Sequence, residues 1–166
     1  MKKNILLLIF ALSLTTAIDA QYNYAIGIRS GGTSGITFKN IITPMSAIEG
    51  IVGFWNDGLS FTVLYEQHPN ALNIEGLHWL FGAGAHAVFF EENYRGFKGP
   101  AWYNDYPDNI EDGEIGIGID GMLGIEYKIP VLPLAISAEI KPFIDFVSGN
   151  EIWGSLDPGI GIKLAF

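Results

Sequence analysis

The residues that could do chemistry in this chain are three histidines and a surplus of carboxylates. His78 and His86 share one parity in the run 76 to 90, and with Glu66 or Asp120 they have the types needed for a metal or an acid–base site. Their spacing argues against a shared ion, because eight strand positions at about 3.3 Å each put the two rings roughly 26 Å apart along the chain. Both are expected instead in a network of buried polar side chains. His68 precedes Pro69 and Asn70 in a turn. The carboxylates concentrate in 91 to 113, where Glu91, Glu92, Asp105, Asp108, Glu111 and Asp112 face only Arg95 and Lys98, and Glu114 follows directly. Oxygen donors at this density suit divalent cations such as Ca²⁺ or Mg²⁺, which makes Asp105, Asp108, Glu111 and Asp112 the metal candidates of the chain. The stretch DYPDNIEDGE does not reproduce the D-x-[DN]-x-[DN]-G calcium loop, and a solvated acidic face accounts for the same residues. Trp102, Tyr103 and Tyr106 in that segment offer an aromatic surface for a ligand. The chain has no cysteine, which excludes disulfides and thiolate metal sites, and no cofactor is expected.

The elements that hold these residues follow from alternation. Across 114 to 128 the odd positions Ile115, Ile117, Ile119, Leu123, Ile125 and Tyr127 are apolar, whereas the even ones are Glu114, Asp120, Glu126, Lys128, Met122 and glycines. A period of two excludes a helix, and the length exceeds the five or six residues typical of a soluble strand. The same pattern predicts strands over 22 to 29, 34 to 39, 47 to 55, 59 to 66, 76 to 90, 134 to 145 and 153 to 166. Eight antiparallel strands match the smallest transmembrane barrels. The connections at 40 to 46, 67 to 75 and 129 to 133 are then periplasmic, and those at 30 to 33, 56 to 58, 91 to 113 and 147 to 152 face outward, with only 91 to 113 long. Pro44, Pro69, Pro130 and Pro133 fall in the periplasmic turns, while Pro142 and Pro158 lie in or beside strands, where a bulge or a strand end is expected.

The charges decide which face points inward. The polar parity holds Arg29, Lys39, Lys128, Lys141 and Lys163 with Glu49, Glu66, Asp120, Glu126, Glu139 and Asp145, and His78 and His86 join them. A nearly balanced set is what a narrow closed interior tolerates, since buried charge must be paired. A soluble lipocalin-like barrel would turn the apolar face inward instead and would need no such balance. An eight-stranded interior is just filled by side chains, so a narrow channel or small-solute carrier is the second alternative and a wide pore is not expected. Residues 1 to 20, with Lys2 and Lys3, an apolar core from Ile5 to Leu14 and Ala20, are expected to be a cleavable signal peptide ahead of a single domain over 21 to 166. Without Lys2, Lys3 and Asp19 the chain keeps 7 basic and 17 acidic side chains, which makes nucleic acid an unsuitable partner.

Taken together, the signal peptide, the eight alternating strands, the segment GLHWLFGAGAHAVFF at 76 to 90 and the terminal strand with Ile160, Ile162, Leu164 and Phe166 on one face resemble the small outer-membrane β-barrel proteins of the OmpA/OmpX type. The resemblance spans about Gln21 to Phe166. It implies an all-β, eight-stranded, antiparallel up-and-down transmembrane barrel in the outer membrane, with membrane lipids as surroundings. It also implies that Ile160, Ile162, Leu164 and Phe166 form the signal read by the barrel-assembly machinery. A monomer is expected. Lipid deacylases of similar architecture carry a His-x-Ser motif, but His78 is followed by Trp79-Leu80 and His86 by Ala87-Val88, so no enzyme is expected. The expected role is structural in the envelope, or surface interaction through 91 to 113.

Overall fold

The computed structural model describes residues 23–55, 58–90, 115–147 and 151–166. These residues form eight strands: β1 (Tyr24–Gly31), β2 (Ser34–Thr43), β3 (Ser46–Trp55), β4 (Gly58–Gln67), β5 (Leu77–Phe90), β6 (Ile115–Lys128), β7 (Leu134–Val147) and β8 (Glu151–Ala165). Each pairs antiparallel with its sequence neighbours, and β1 pairs with β8, so the sheet closes into a barrel with no free edge along the seam. The seam is tied at its end by two backbone bonds between Tyr24 and Phe166, and the Tyr24 ring packs between Phe38 and Phe166. One rim therefore carries both ends of the barrel together with the connections 44–45, 68–76 and 129–133; it is the terminus rim below, and the opposite one is the far rim.

Alternation is realised throughout with the apolar parity outward. Ile28 is 63% exposed and Ile160 62%, whereas Arg29, between them on the inner parity, is 3% exposed. The β-branched and aromatic residues that make these strands also make the outer surface, and inside the barrel Ile51, Leu64, Leu80 and Met122 form a buried apolar cluster. This is the reverse of a soluble barrel, which hides its apolar face.

The strands are unequal. β1 to β4 have 8 to 10 residues, β5 to β8 have 14 or 15. β1 stops at Gly31, opposite Gly159, so β8 continues from Glu151 to Pro158 beyond it with β7 alone as strand partner. This explains how Pro158 sits inside a strand without the expected bulge: its carbonyl accepts from Gly32 N at 3.1 Å, so the side on which it lacks an N–H faces the point where the β1 ladder has ended. Pro142 likewise produces no bulge. The β6–β7 register is unchanged on either side of it, and only the pairing of 121–122 with 141–142 lapses, opposite Gly121. The one register shift recorded for β2–β3 lies between Ile41 and Thr43, at the terminus rim.

The connection 68–76 folds back against its own rim. Leu72, Asn73 and Gly76 take positive φ, which reverses the chain tightly, and Ala71 is fully buried with its N–H donating to Leu77 O.

Candidate functional site

Inward parity brings ionisable side chains from all eight strands to the barrel axis, and they separate into two networks. Toward the terminus rim, the Lys39 ammonium on β2 lies 3.1 Å from Glu49, 2.8 Å from Glu66 and 3.0 Å from Glu126, which come from β3, β4 and β6. Lys163 on β8 stands 3.0 Å from Glu49 and 4.0 Å from Glu126. His68 closes this network from the turn, with Nε2 3.0 Å from Glu66 and Nδ1 3.4 Å from Glu126. Every one of these side chains is buried, so the charges are compensated by each other and not by bulk water.

Toward the far rim the parts are shorter. Arg29 on β1 donates from Nε to Glu139 at 2.7 Å and from Nη1 to Asp157 at 3.1 Å, with Nη2 reaching the Asp157 carbonyl. The same Asp157 carboxylate accepts from Thr33 N at 2.9 Å, so it clasps the β1–β2 hairpin to β8. Lys141 lies 2.8 Å from Asp120 and 3.4 Å from Asp157. His86 completes the chain: Nδ1 is 2.8 Å from Asp120, and Nε2 bonds Asp145. With an N–H on each nitrogen the ring would serve both carboxylates, and the imidazolium would offset the carboxylate excess. Phe143 meets the His86 ring edge-on at 5.6 Å, lies 5.5 Å under Lys141 and packs on Trp153, which roofs the network with aromatic carbon.

Two glycines make room for these side chains. A Cβ on Gly118 would lie 2.7 Å from His86 Nε2, and one on Gly159 would lie 2.5 Å from Arg29 Nη2, so both positions require a bare backbone. Between the networks sits the apolar cluster; on β6, Met122 falls between Asp120 of one network and Glu126 of the other. Two voids among the described residues measure about 20 Å³ near Lys39 and Lys163 and about 10 Å³ near His86 and Lys141, each at the scale of one water or less.

Of the residues placed on the inner parity from sequence, Arg29, Lys39, Glu49, Glu66, His86, Asp120, Glu126, Glu139, Lys141, Asp145 and Lys163 are buried in these two networks. His78 differs. It is half-buried at the terminus rim, where it is the register partner of Glu126 yet bonds its own turn, with Nδ1 3.1 Å from Gly76 O. Lys128 is also a rim residue, 4.0 Å from Glu126 and with 30% of its side chain exposed. Two participants, His68 and Asp157, were not anticipated. Carrying the parity of Glu66 one step past Gln67, and that of Lys163 back through Pro158, would have found both. Ile160 and Ile162 point outward, Leu164 is half-buried and Phe166 ends the seam. The segment 91 to 113, with Asp105, Asp108, Glu111 and Asp112, and residues 1 to 20 lie outside the described residues.

No protein family and no curated protein matches the chain. Among solved structures it is similar to the N-terminal β-barrel domain of Pseudomonas aeruginosa OprF, with a TM-score of 0.54 over 86% of this chain and 95% of that one, at 12% identity. The likeness at that identity is one of fold alone: a closed, eight-stranded antiparallel barrel.

Proposed function

We propose that the protein is a non-enzymatic integral outer-membrane barrel that serves the envelope structurally or through surface interaction. The observation that carries the reading is the inverted polarity: an outward face of Ile, Leu, Val and Phe around every strand, enclosing paired charge in a filled interior. Water would leave that surface exposed, whereas hydrocarbon would cover it, and closure of β1 on β8 removes the free sheet edge along the seam. Tyr24, Tyr65, Trp79 and Tyr127 lie on the outer face near the terminus rim, the position of an interfacial girdle. Export would rest on residues 1 to 20, and delivery to the barrel-assembly machinery on Ile160, Ile162, Leu164 and Phe166. The acidic and aromatic segment 91 to 113 is assigned the contact with divalent cations or a surface ligand, and the barrel is read as a monomer. Both rings of the interior histidines that face carboxylates are engaged by them, which supports a structural role over an acid–base one.

Membrane fractionation followed by electrophoresis of heated and unheated samples tests the location. A detergent-extracted band that migrates faster before heating is expected; release into aqueous buffer without detergent would overturn it. Deleting 95 to 111 should leave that shift intact while abolishing cation binding, and unchanged binding would remove the loop from the reading. A filled interior further predicts almost no conductance in planar bilayers, and a steady open channel would favour the solute-carrier alternative.

A further inference from the structure

We propose that the barrel thins the bilayer along the wall formed by β1 and β2, drawing the head groups of the leaflet at the far rim down to the hairpin Ser30–Ser34; this rests on the membrane reading above. The observation that carries it is the unequal height of the apolar belt. On β1 the outward apolar residues run from Tyr24 to Ile28, four positions, and on β2 from Ile36 to Ile42, six, interrupted by Asn40. On β6 they run from Ile115 to Tyr127, twelve positions, and on β7 from Ile136 to Phe146 and on β8 from Ile152 to Ile162, ten each. The step is abrupt at the seam. From the Tyr24–Phe166 pair at the terminus rim β1 climbs only to Gly31, opposite Gly159, whereas β8 climbs to Glu151. Above Ile28 the low wall ends in Ser30, Gly31, Gly32 and Ser34, none of which offers hydrocarbon an apolar side chain, and Ser34 Oγ is bonded to Gly31 within the hairpin.

The heights select the response. A strand rise of about 3.3 Å per residue at a tilt of about 40° lifts each position about 2.5 Å along the axis. The belt is then about 25–30 Å tall on β6, β7 and β8, which matches a hydrocarbon core of about 30 Å, but only about 10–15 Å tall on β1 and β2. Tilting serves a belt that is too long; one that is too short is met by snorkelling, by oligomerisation or by thinning. Snorkelling has no residue to use on β1, because its one long polar side chain, Arg29, is turned inward to Glu139 and Asp157. Pairing two low walls across a two-fold axis would cover about 10 by 15 Å, about 150 Å² on each copy, against the roughly 800 Å² of a specific interface. Thinning is the response left, and the small, polar hairpin is the part of the wall that head groups and water would reach.

Depth measurements on two walls test this, and a chain without cysteine accepts single labels cleanly. Ser30→Cys stands six positions above Tyr24 on β1, and Ile119→Cys eight above Tyr127 on β6, both on the exposed outer face. In a bilayer of uniform thickness the label at Ser30 would be the deeper of the two, near the midplane; thinning at the low wall inverts the order. With the full protein in dioleoylphosphatidylcholine vesicles, aqueous iodide should quench a fluorophore at Ser30 roughly fivefold more than one at Ile119, and a doxyl group near the end of a lipid chain should do the reverse. Equal protection of both labels from iodide, or a deeper label at Ser30, would overturn the proposal. So would a label at Ser30 that neither agent reaches, which would mean that a second copy of the chain covers the low wall. Asn40→Cys, opposite Tyr24, and Tyr127→Cys control for tilt at the terminus rim: equal depths are expected, and unequal ones would assign the inversion to a tilted barrel instead. Iodide reaching Ile119 as freely as it reaches the label in water would overturn the membrane reading itself, so the two failures are distinguishable.

Discussion

Toward the terminus rim one ammonium, Lys39, holds three glutamates; toward the far rim no single cation does this, and Arg29, Lys141 and His86 divide four carboxylates among them. The first arrangement is a hub. Its glutamates are long enough to reach the axis from β3, β4 and β6, and they converge on a chain from β2. The second is a relay in which Glu139 and three aspartates are shared among three cations from different strands, and it depends on Gly118 and Gly159 for clearance. A hub concentrates the electrostatic balance in one atom. A relay spreads it, and one of its members, Asp157, also fixes a backbone, the tip of the β1–β2 hairpin.

The largest effect should come from the hub. Lys39→Met keeps the length of the side chain but leaves three buried carboxylates with Lys163, His68 and the rim residue Lys128 as their remaining partners. Removing one partner of a buried ion pair costs about 3–5 kcal/mol, and the shared role puts Lys39 at the upper end of that range. Urea unfolding of barrel refolded in detergent, followed by tryptophan fluorescence, measures it. A loss below about 1 kcal/mol would mean that the glutamates do not depend on this ammonium, and the contrast with the relay would fail.

An intermediate and local effect is expected at the clasp. Asp157→Ala removes the acceptor of Thr33 N–H and one partner each of Arg29 and Lys141, while Arg29 keeps Glu139 and Lys141 keeps Asp120. Charged hydrogen bonds contribute about 1.5–3 kcal/mol, and the retained partners limit the loss to that order. Hydrogen exchange should accelerate at Thr33 much more than at Ile51 or Leu64 on the opposite wall. Uniform acceleration would show that the far network is as cooperative as the hub.

The barrel itself was legible because closure makes parity decisive. With every strand paired on both sides, a residue faces either the axis or the outside, and the alternation of β6 or β8 assigns that choice without knowledge of its neighbours. Which charge meets which was not legible. Lys39 reaches Glu126, 87 positions away, only because the strands tilt and bring β2 and β6 to one height across the axis. Pro142 and Pro158 misled in the opposite direction: each suggests an interruption, yet one costs a short lapse in a ladder and the other faces a ladder already ended. His78 and His68 show the limit at strand ends, where parity still gives direction but the turn decides whether the ring reaches the axis.

The smallest effect should separate the hub from its cover. His68 enters the terminus-side network from the 68–76 turn and not from a strand, touching Glu66 at 3.0 Å and Glu126 at 3.4 Å. His68→Gln keeps an N–H donor that can reach Glu66 and gives up the longer contact, so the expected loss of global stability is about 0.5–1.5 kcal/mol, the range of one ordinary hydrogen bond. The turn should respond more than the barrel, because Ala71 is buried beneath it and its N–H bond to Leu77 O depends on the turn remaining docked. Exchange at Ala71 should therefore rise while exchange in β4 and β6 stays near that of the unaltered protein. If His68→Gln instead unfolds the barrel as readily as Lys39→Met, the turn is part of the hub, and the two networks differ in more than the length of their side chains: the terminus-side one is built by a loop and a sheet together, the far one by the sheet and its shortest hairpin.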